Sequence, residues 1–412
     1  KVTKSISDLD NDGIMEYVKS LGYPCERHHV MMEDGYVIYM YRIPYGKSAN
    51  LLNIPSVPIS TNTSTEHEQR QRNRPVVFLQ HGVCNSSSTW VVTGESQGLA
   101  FILAMNGFDV WMGNNRGTQF GRIHSKYDQS NPEFWKFSWD QMAKYDLPAQ
   151  IDYVVQKTGV STLSYIGHSQ GTAQAFAAFS SNIDLQSKIN LFVAFAPVVC
   201  LKSQTSQIFK LLASLKTEVL ITMLGIGEIG KTQISRSLLP TLASKLIGTT
   251  GFNDLWSLFM DCDIDHSALP ILTQYEPSPT STQNLAHWSQ LVRSGTFHAY
   301  DHGEAENLVV YGQRTPPEYD LSNITIPVAA FYGELDYLAT PADIENVLLK
   351  KLPNVIMSKM VHNFKHNDFV WGRNAWRMVY SDVINLLLSV SQPQQQTATP
   401  TSEGDDEVVS EK

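Results

Sequence analysis

One bend constrains this chain more than any other feature. Residues 163–176 read LSYIGHSQGTAQAF. A short apolar run stops at Gly167, Ser169 stands between Gly167 and Gly171, and a helical pattern follows. A G-x-S-x-G match is weak evidence by itself. Between a strand and a helix it gains a mechanism. The strained turn lifts the serine oxygen above the end of a sheet, and the flanking glycines let strand and helix approach closely. Ser169 is the candidate nucleophile.

The rest of the pattern supplies the sheet. Strand-like runs lie at 36–43, 76–80, 108–112, 163–167, 191–196, 327–332 and 354–359. Helical patterns lie at 95–106, 139–157, 170–181, 341–351 and 374–390, and Thr340 followed by Pro341 is a good start signal for the fourth. This alternation predicts an α/β fold, with a mostly parallel sheet covered by helices on both faces. The predicted core runs over 1–199 and resumes over 321–390. Residues 48–75 are polar with several prolines and read as a surface loop. Residues 200–320 are apolar but irregular, and read as a mainly helical cap over the sheet's edge. Within them, Ile208, Leu211, Leu212, Leu215, Val219 and Leu220 form a helical stripe suited to a lid or to the cap's own core. The tail 391–412 is rich in Gln, Thr, Ser and Pro and then acidic, a composition that predicts disorder.

A serine hydroxyl needs a base to take its proton, and a carboxylate to orient that base. In this arrangement the chain order is Ser, Asp or Glu, then His. Asp336 follows an apolar strand in PVAAFYGELDYLATP, and His366 lies after the last strand in VHNFKHNDFVWG. Glu334 and Asp368 are rival carboxylates. His362 stands four residues before His366 and raises a metal-pair reading, but no third ligand is near. The developing oxyanion needs pre-set donors. The Gln170 amide is one, and the Val83 amide is the second, in the turn at His81-Gly82-Val83. His81 itself is read as shaping that turn.

Composition narrows the partners. A net charge of −9 argues against nucleic acid. Cys25, Cys84, Cys200 and Cys262 show neither metal spacing nor a disulfide framework. No apolar run is long enough to span a bilayer. The chain begins with Lys1 rather than Met, which fits a mature form without its signal peptide, and fits a chain cut there equally. Sequons stand at Asn62, Asn85 and Asn323. Glycans are expected at Asn323 and Asn62. None is expected at Asn85, where one would crowd the turn at Val83.

Several stretches together resemble the acid lipase family of α/β-hydrolases: EDGYVIYMYRIPYGK, RPVVFLQHGV, GFDVWMGNNRGT, EFWKFSWDQMAKYDLPAQIDYVVQKTG, YIGHSQGT, SGTFHAYDHG and HNDFVWG. They run from about residue 12 to 388. The resemblance implies an α/β-hydrolase fold, with Ser169, Asp336 and His366 as nucleophile, acid and base. It implies Val83 and Gln170 as oxyanion donors and a lid-bearing cap over roughly 200–320. It departs from gastric-type members at one bridge, because Cys262 is the only cysteine after position 201. The implied activity is cleavage of carboxylic esters of neutral lipids, triacylglycerol or steryl ester, at a lipid–water interface and without cofactor or metal. The implied location is secreted or lysosomal. A lipid acyltransferase, a short-chain carboxylesterase and a non-catalytic lipid-binding relative are the alternatives.

Overall fold

The computed structural model describes residues 13–47, 74–206, 228–229 and 262–391. The polar loop up to residue 73, Asn62, the apolar stripe at 208–220 and the tail from 392 lie outside the described residues. So do residues 207–227 and 230–261 of the expected cap.

Strands β1 (Glu26–Met31), β2 (Tyr36–Ile43), β3 (Val76–Gln80), β4 (Asp109–Met112), β5 (Ile123–His124), β6 (Leu163–His168) and β7 (Ile189–Phe195) come first. Glu228–Ile229 and Thr280–Ser281 are β8 and β9, which pair with each other outside the main sheet. β10 (Val328–Gly333) and β11 (Val355–Val361) return to it. The main sheet runs β1-β2-β4-β3-β6-β7-β10-β11, with β5 beside β2. From β4 to β11 every pairing is parallel, while β2 is antiparallel to its neighbours β1, β4 and β5.

Burial explains the sequence pattern. Every residue of β3, β6 and β10 is buried, so these strands read as mainly apolar runs rather than as an alternation. The edge strand β11 instead exposes Ile356, Ser358 and Met360 in alternation. β1 carries no such run. Its sequence ERHHVM is polar and largely part-buried, and the apolar pattern does not predict it.

The helical patterns hold, with local differences. The pattern at 95–106 begins as helix only at Leu99, because Gly94 and Gly98 close a turn first. The pattern at 139–157 is helical from Trp139 to Thr158 with a wider turn over Met142–Asp146. The pattern at 341–351 starts at Pro341, and the Thr340 hydroxyl accepts from the Asp343 amide at 3.3 Å. The pattern at 374–390 is helical from Trp376 to Ser391, its first turn wider, and a separate turn of helix at Asp368–Trp371 precedes it.

Parallel register aligns the carboxyl ends of the central strands. Gln80 pairs with Gly167, Gly167 with Ala194, Phe195 with Phe331, and Gly333 with Val361. The segments that follow β3, β6, β10 and β11 therefore leave the sheet along one edge, where open α/β sheets place their sites.

Candidate active site

Ser169 occupies the bend between β6 and the helix Gln170–Ser181, with φ 53° and ψ −117°. A non-glycine residue held at positive φ costs about 1–3 kcal/mol, which the surroundings must supply. Here the Ser169 amide donates to Phe195 at 3.0 Å, and its carbonyl accepts from Thr172 and Ala173 at 2.8 and 3.2 Å. The two glycines serve close approach. A Cβ on Gly167 would lie 2.7 Å from the Gly171 carbonyl oxygen, and one on Gly171 would collide with the Gln80 carbonyl.

The fold brings three distant side chains into line. His366 Nε2 lies 2.7 Å from Ser169 Oγ, and His366 Nδ1 lies 2.8 Å from Asp336 Oδ2. All three residues are buried. The other oxygen, Asp336 Oδ1, accepts from the Leu338 and Ala339 amides at 2.8 and 2.9 Å, which fixes the carboxylate. Asp336 sits in the turn after β10, and His366 in the turn after β11.

The rival carboxylates have other partners. Glu334 is exposed and accepts from the Asn363 amide at 3.1 Å and pairs with His362 at 3.3 Å. Asp368 accepts from the Asp263 and Lys365 amides, both at 2.7 Å. His362 is thus an exposed partner of Glu334. Among the described residues no group of three or more His, Cys, Asp and Glu side chains is arranged to hold a metal ion. None of the four cysteines is bridged.

Val83 follows β3 at the lip of the site. It lines a crevice of about 270 Å³, counted with its solvent-open mouth, together with Ser169, Val198, Leu201, Trp288, Leu338 and His366. Its walls are apolar apart from the serine and histidine. Among the described residues no carbonyl accepts from the Val83 or Gln170 amides. His81 Nδ1 donates to the Gly82 carbonyl at 2.8 Å, and its Nε2 accepts from the Asn115 amide at 3.2 Å. Burial pushes its pKa down to about 4, so the ring braces the turn in its neutral form.

Two supports have no local sequence signal. Gln170 Oε1 accepts from Asn284 Nδ2 at 2.8 Å and from Trp288 Nε1 at 2.9 Å. These donors lie more than a hundred residues away on the helix Thr282–Ser294. His168 Nε2 donates to the carbonyl of His366 at 2.9 Å. At the sequons, Asn85 is buried and reaches Thr89, whereas Asn323 is exposed while its Nδ2 donates to the Ser180 carbonyl at 3.3 Å.

Comparison with known proteins agrees with this architecture. Residues 14–94 match the model of a partial alpha/beta-hydrolase lipase region, and 75–211 match that of the alpha/beta hydrolase fold. The chain is 39% identical to the gastric triacylglycerol lipase of Rattus norvegicus over 92% of each chain. It is 36% identical to the lysosomal acid lipase/cholesteryl ester hydrolase of Homo sapiens over 92% of this chain and 91% of that one. The crystal structure of a putative lipase from Acinetobacter baumannii superposes with a TM-score of 0.50 at 13% identity, covering 95% of this chain and 98% of that one, a likeness of fold alone. On sequence identity sustained across nearly the whole chain, this protein belongs to the acid lipase family of α/β-hydrolases.

Proposed function

We propose that the chain hydrolyses carboxylic esters of neutral lipids through an acyl-enzyme on Ser169. The observation that carries this reading is the buried line from Ser169 Oγ to His366 Nε2 at 2.7 Å and from His366 Nδ1 to Asp336 Oδ2 at 2.8 Å. His366 takes the hydroxyl proton as Ser169 attacks the ester carbonyl. Asp336 holds the Nδ1–H tautomer and stabilises the imidazolium. The amides of Val83 and Gln170 receive the oxyanion. His366 then protonates the leaving alcohol, and water repeats the sequence on the acyl-enzyme. These groups and water balance both half-reactions.

The apolar crevice beside Ser169 supports an acyl chain as the bound part of the substrate. Relatives named for triacylglycerol and for cholesteryl ester support a neutral lipid, and their gastric and lysosomal names support a secreted or lysosomal location. The substrate is met at a lipid–water interface. None of the described helices is long and apolar enough to cross a membrane. Residues 200–320 are assigned to a cap and 321–390 to the second half of the core. The segment 262–299 supports this, since Asn284 and Trp288 reach down onto Gln170. Glycans are assigned to Asn323 and Asn62.

A serine-directed phosphonate tests the nucleophile. It should label Ser169 and abolish turnover of both p-nitrophenyl esters and emulsified triacylglycerol. Ester hydrolysis with Ser169 unlabelled would sink the assignment. Turnover that rises with acyl length and emulsification distinguishes a lipase from a short-chain esterase.

A further inference from the structure

Glu276 carries a buried carboxyl that the reaction above does not use. It follows the helix Leu269–Tyr275 and is 4% exposed. Its Oε1 accepts from the Ser88 hydroxyl at 2.7 Å, the Ser86 amide at 3.2 Å and the Ser86 hydroxyl at 3.4 Å. Two residues later, the Ser278 amide donates to the Cys84 carbonyl at 2.6 Å. Gln119 ties the two sides together, donating to Ser86 Oγ at 3.3 Å and to the Tyr275 carbonyl at 3.2 Å. Residues 275–278 thus grip residues 84–88, which begin one position after Val83. Cys84 is itself held at φ 57°, a conformation that a cysteine keeps only where its surroundings enforce it.

We infer that Glu276 is a positioning residue for the oxyanion loop: by gathering Ser86 and Ser88 on one carboxyl oxygen, it sets the direction of the Val83 amide. This rests on the reading of Val83 as an oxyanion donor. The loop has a second anchor at Asn114, whose Nδ2 donates to Ser87 Oγ at 3.0 Å, but Glu276 is the one that gathers two of its serines. The Asn85 amide reaches the Gly82 carbonyl at 3.3 Å, and the Ser87 amide reaches Asn114 Oδ1 at 2.7 Å.

The state of the carboxyl matters to this role. Its hydrogen-bond partners are hydroxyls and amides, all neutral. From the segment after β4, Gln119 faces the same site with an amide. From the loop, the titratable neighbour is the Cys84 thiol, which burial and then Glu276 push up to about 12. Burial pushes Glu276 up to about 8. Oε2 has no hydrogen-bond partner among the described residues, which a neutral acid tolerates better than a carboxylate. Above that pH the group ionises, and an uncompensated charge then stands behind the loop that must hold an oxyanion.

The test compares the full chain with Glu276→Gln and Glu276→Ala on soluble p-nitrophenyl butyrate, reading kcat and KM between about pH 5 and 10, with Tm alongside. Gln retains the accepting oxygen but cannot ionise. Glu276→Ala should lower kcat about tenfold or more with KM nearly unchanged. Glu276→Gln should restore most of kcat in the acidic range and keep its activity above about pH 8, where the unsubstituted chain declines. The inference is overturned if Glu276→Ala keeps its kcat, or if Glu276→Gln and the unsubstituted chain share one alkaline decline. Should Glu276→Ala not fold, the Gln profile alone decides. Val83→Pro, which removes the amide hydrogen, separates the two readings. A normal kcat there removes the oxyanion assignment of Val83. A collapsed kcat beside a normal Glu276→Ala removes only the role of Glu276.

Discussion

His168 Nε2 donates to the backbone carbonyl of His366 at 2.9 Å, so the residue before the serine holds the main chain of the residue that accepts from the serine. Burial, and then the His366 ring, push the His168 pKa down to about 3. Its Nδ1 has no hydrogen-bond partner among the described residues. His168 is therefore a neutral strut, packed at a ring-centroid distance of 5.2 Å from His366.

Acid stability follows with a definite sign. An unfolded histidine binds a proton below its ordinary 6.5, whereas folded His168 and His81 refuse one until about 3 and about 4. The unfolded chain then holds more protons, and stability falls as pH drops through that window. The guanidinium unfolding midpoint should decline between about pH 6.5 and 4. His168→Gln keeps a donor for the His366 carbonyl and cannot charge, so its decline should be shallower. Equal slopes would show that His168 is not a source of acid sensitivity.

Asp336→Asn should leave Tm nearly unchanged, because the retained Oδ1 can still accept from Leu338 and Ala339. The new amide would face His366 Nδ1 as a donor and favour the wrong tautomer. Turnover should fall on the order of 10⁴-fold, as it does when a triad acid is changed this way. Asp368→Asn should lose far less turnover, since Asp368 binds the Asp263 and Lys365 amides instead. Steady-state kinetics of the two variants side by side would reverse the assignment if Asp368→Asn were the inactive one.

Gln170→Leu should destabilise the fold by about 2–4 kcal/mol, because it strands the buried donors of Asn284 and Trp288. Trp288→Phe removes one of those donors. The double variant should cost less than the sum of the singles, by about 1 kcal/mol or more. Additive losses in chemical denaturation would mean that the two side chains are not energetically coupled.

Gly171→Ala should cost about 3 kcal/mol and abolish activity, since its Cβ would meet the Gln80 carbonyl, and backbone cannot swing aside as a side chain can. Gly159→Ala is the control. Its Cβ would meet nothing within 4 Å, although φ there is +77°, so it should cost only about 1 kcal/mol. Similar melting temperatures for the two variants would refute the steric account of the bend.

What the sequence reveals depends on how local the signal is. The buried strands β3, β6 and β10 are legible because burial on both faces leaves a mainly apolar run. The bend at Ser169 is legible because its glycines, strand and helix lie within fourteen residues. β1 is not legible, since ERHHVM owes its place to pairing with β2 rather than to its own burial. The partners of Gln170 and Glu276 are not legible either. Each contact spans more than a hundred residues, and nothing in the composition of either segment marks the other. Likewise Glu334, Asp336 and Asp368 are equivalent as letters. The turn after β10 aims Asp336 at Nδ1 and Glu334 at Asn363, while Asp368, after β11, is taken up by the Asp263 and Lys365 amides.

The separation of Ser169 from His366 along the chain bears on how the protein is made. Their hydrogen bond closes a span of 197 residues, and it requires β10 and β11 to have joined the sheet beyond β7. A nascent chain therefore carries its serine without this partner until β10 and β11 have been made and have joined the sheet. Asp336 and His366 follow β10 and β11, the last two in chain order of the described strands of the main sheet. Synthesis order thus acts as a safety catch. Under the proposed function, the Ser169 hydroxyl gains its base only when β11 has joined the sheet.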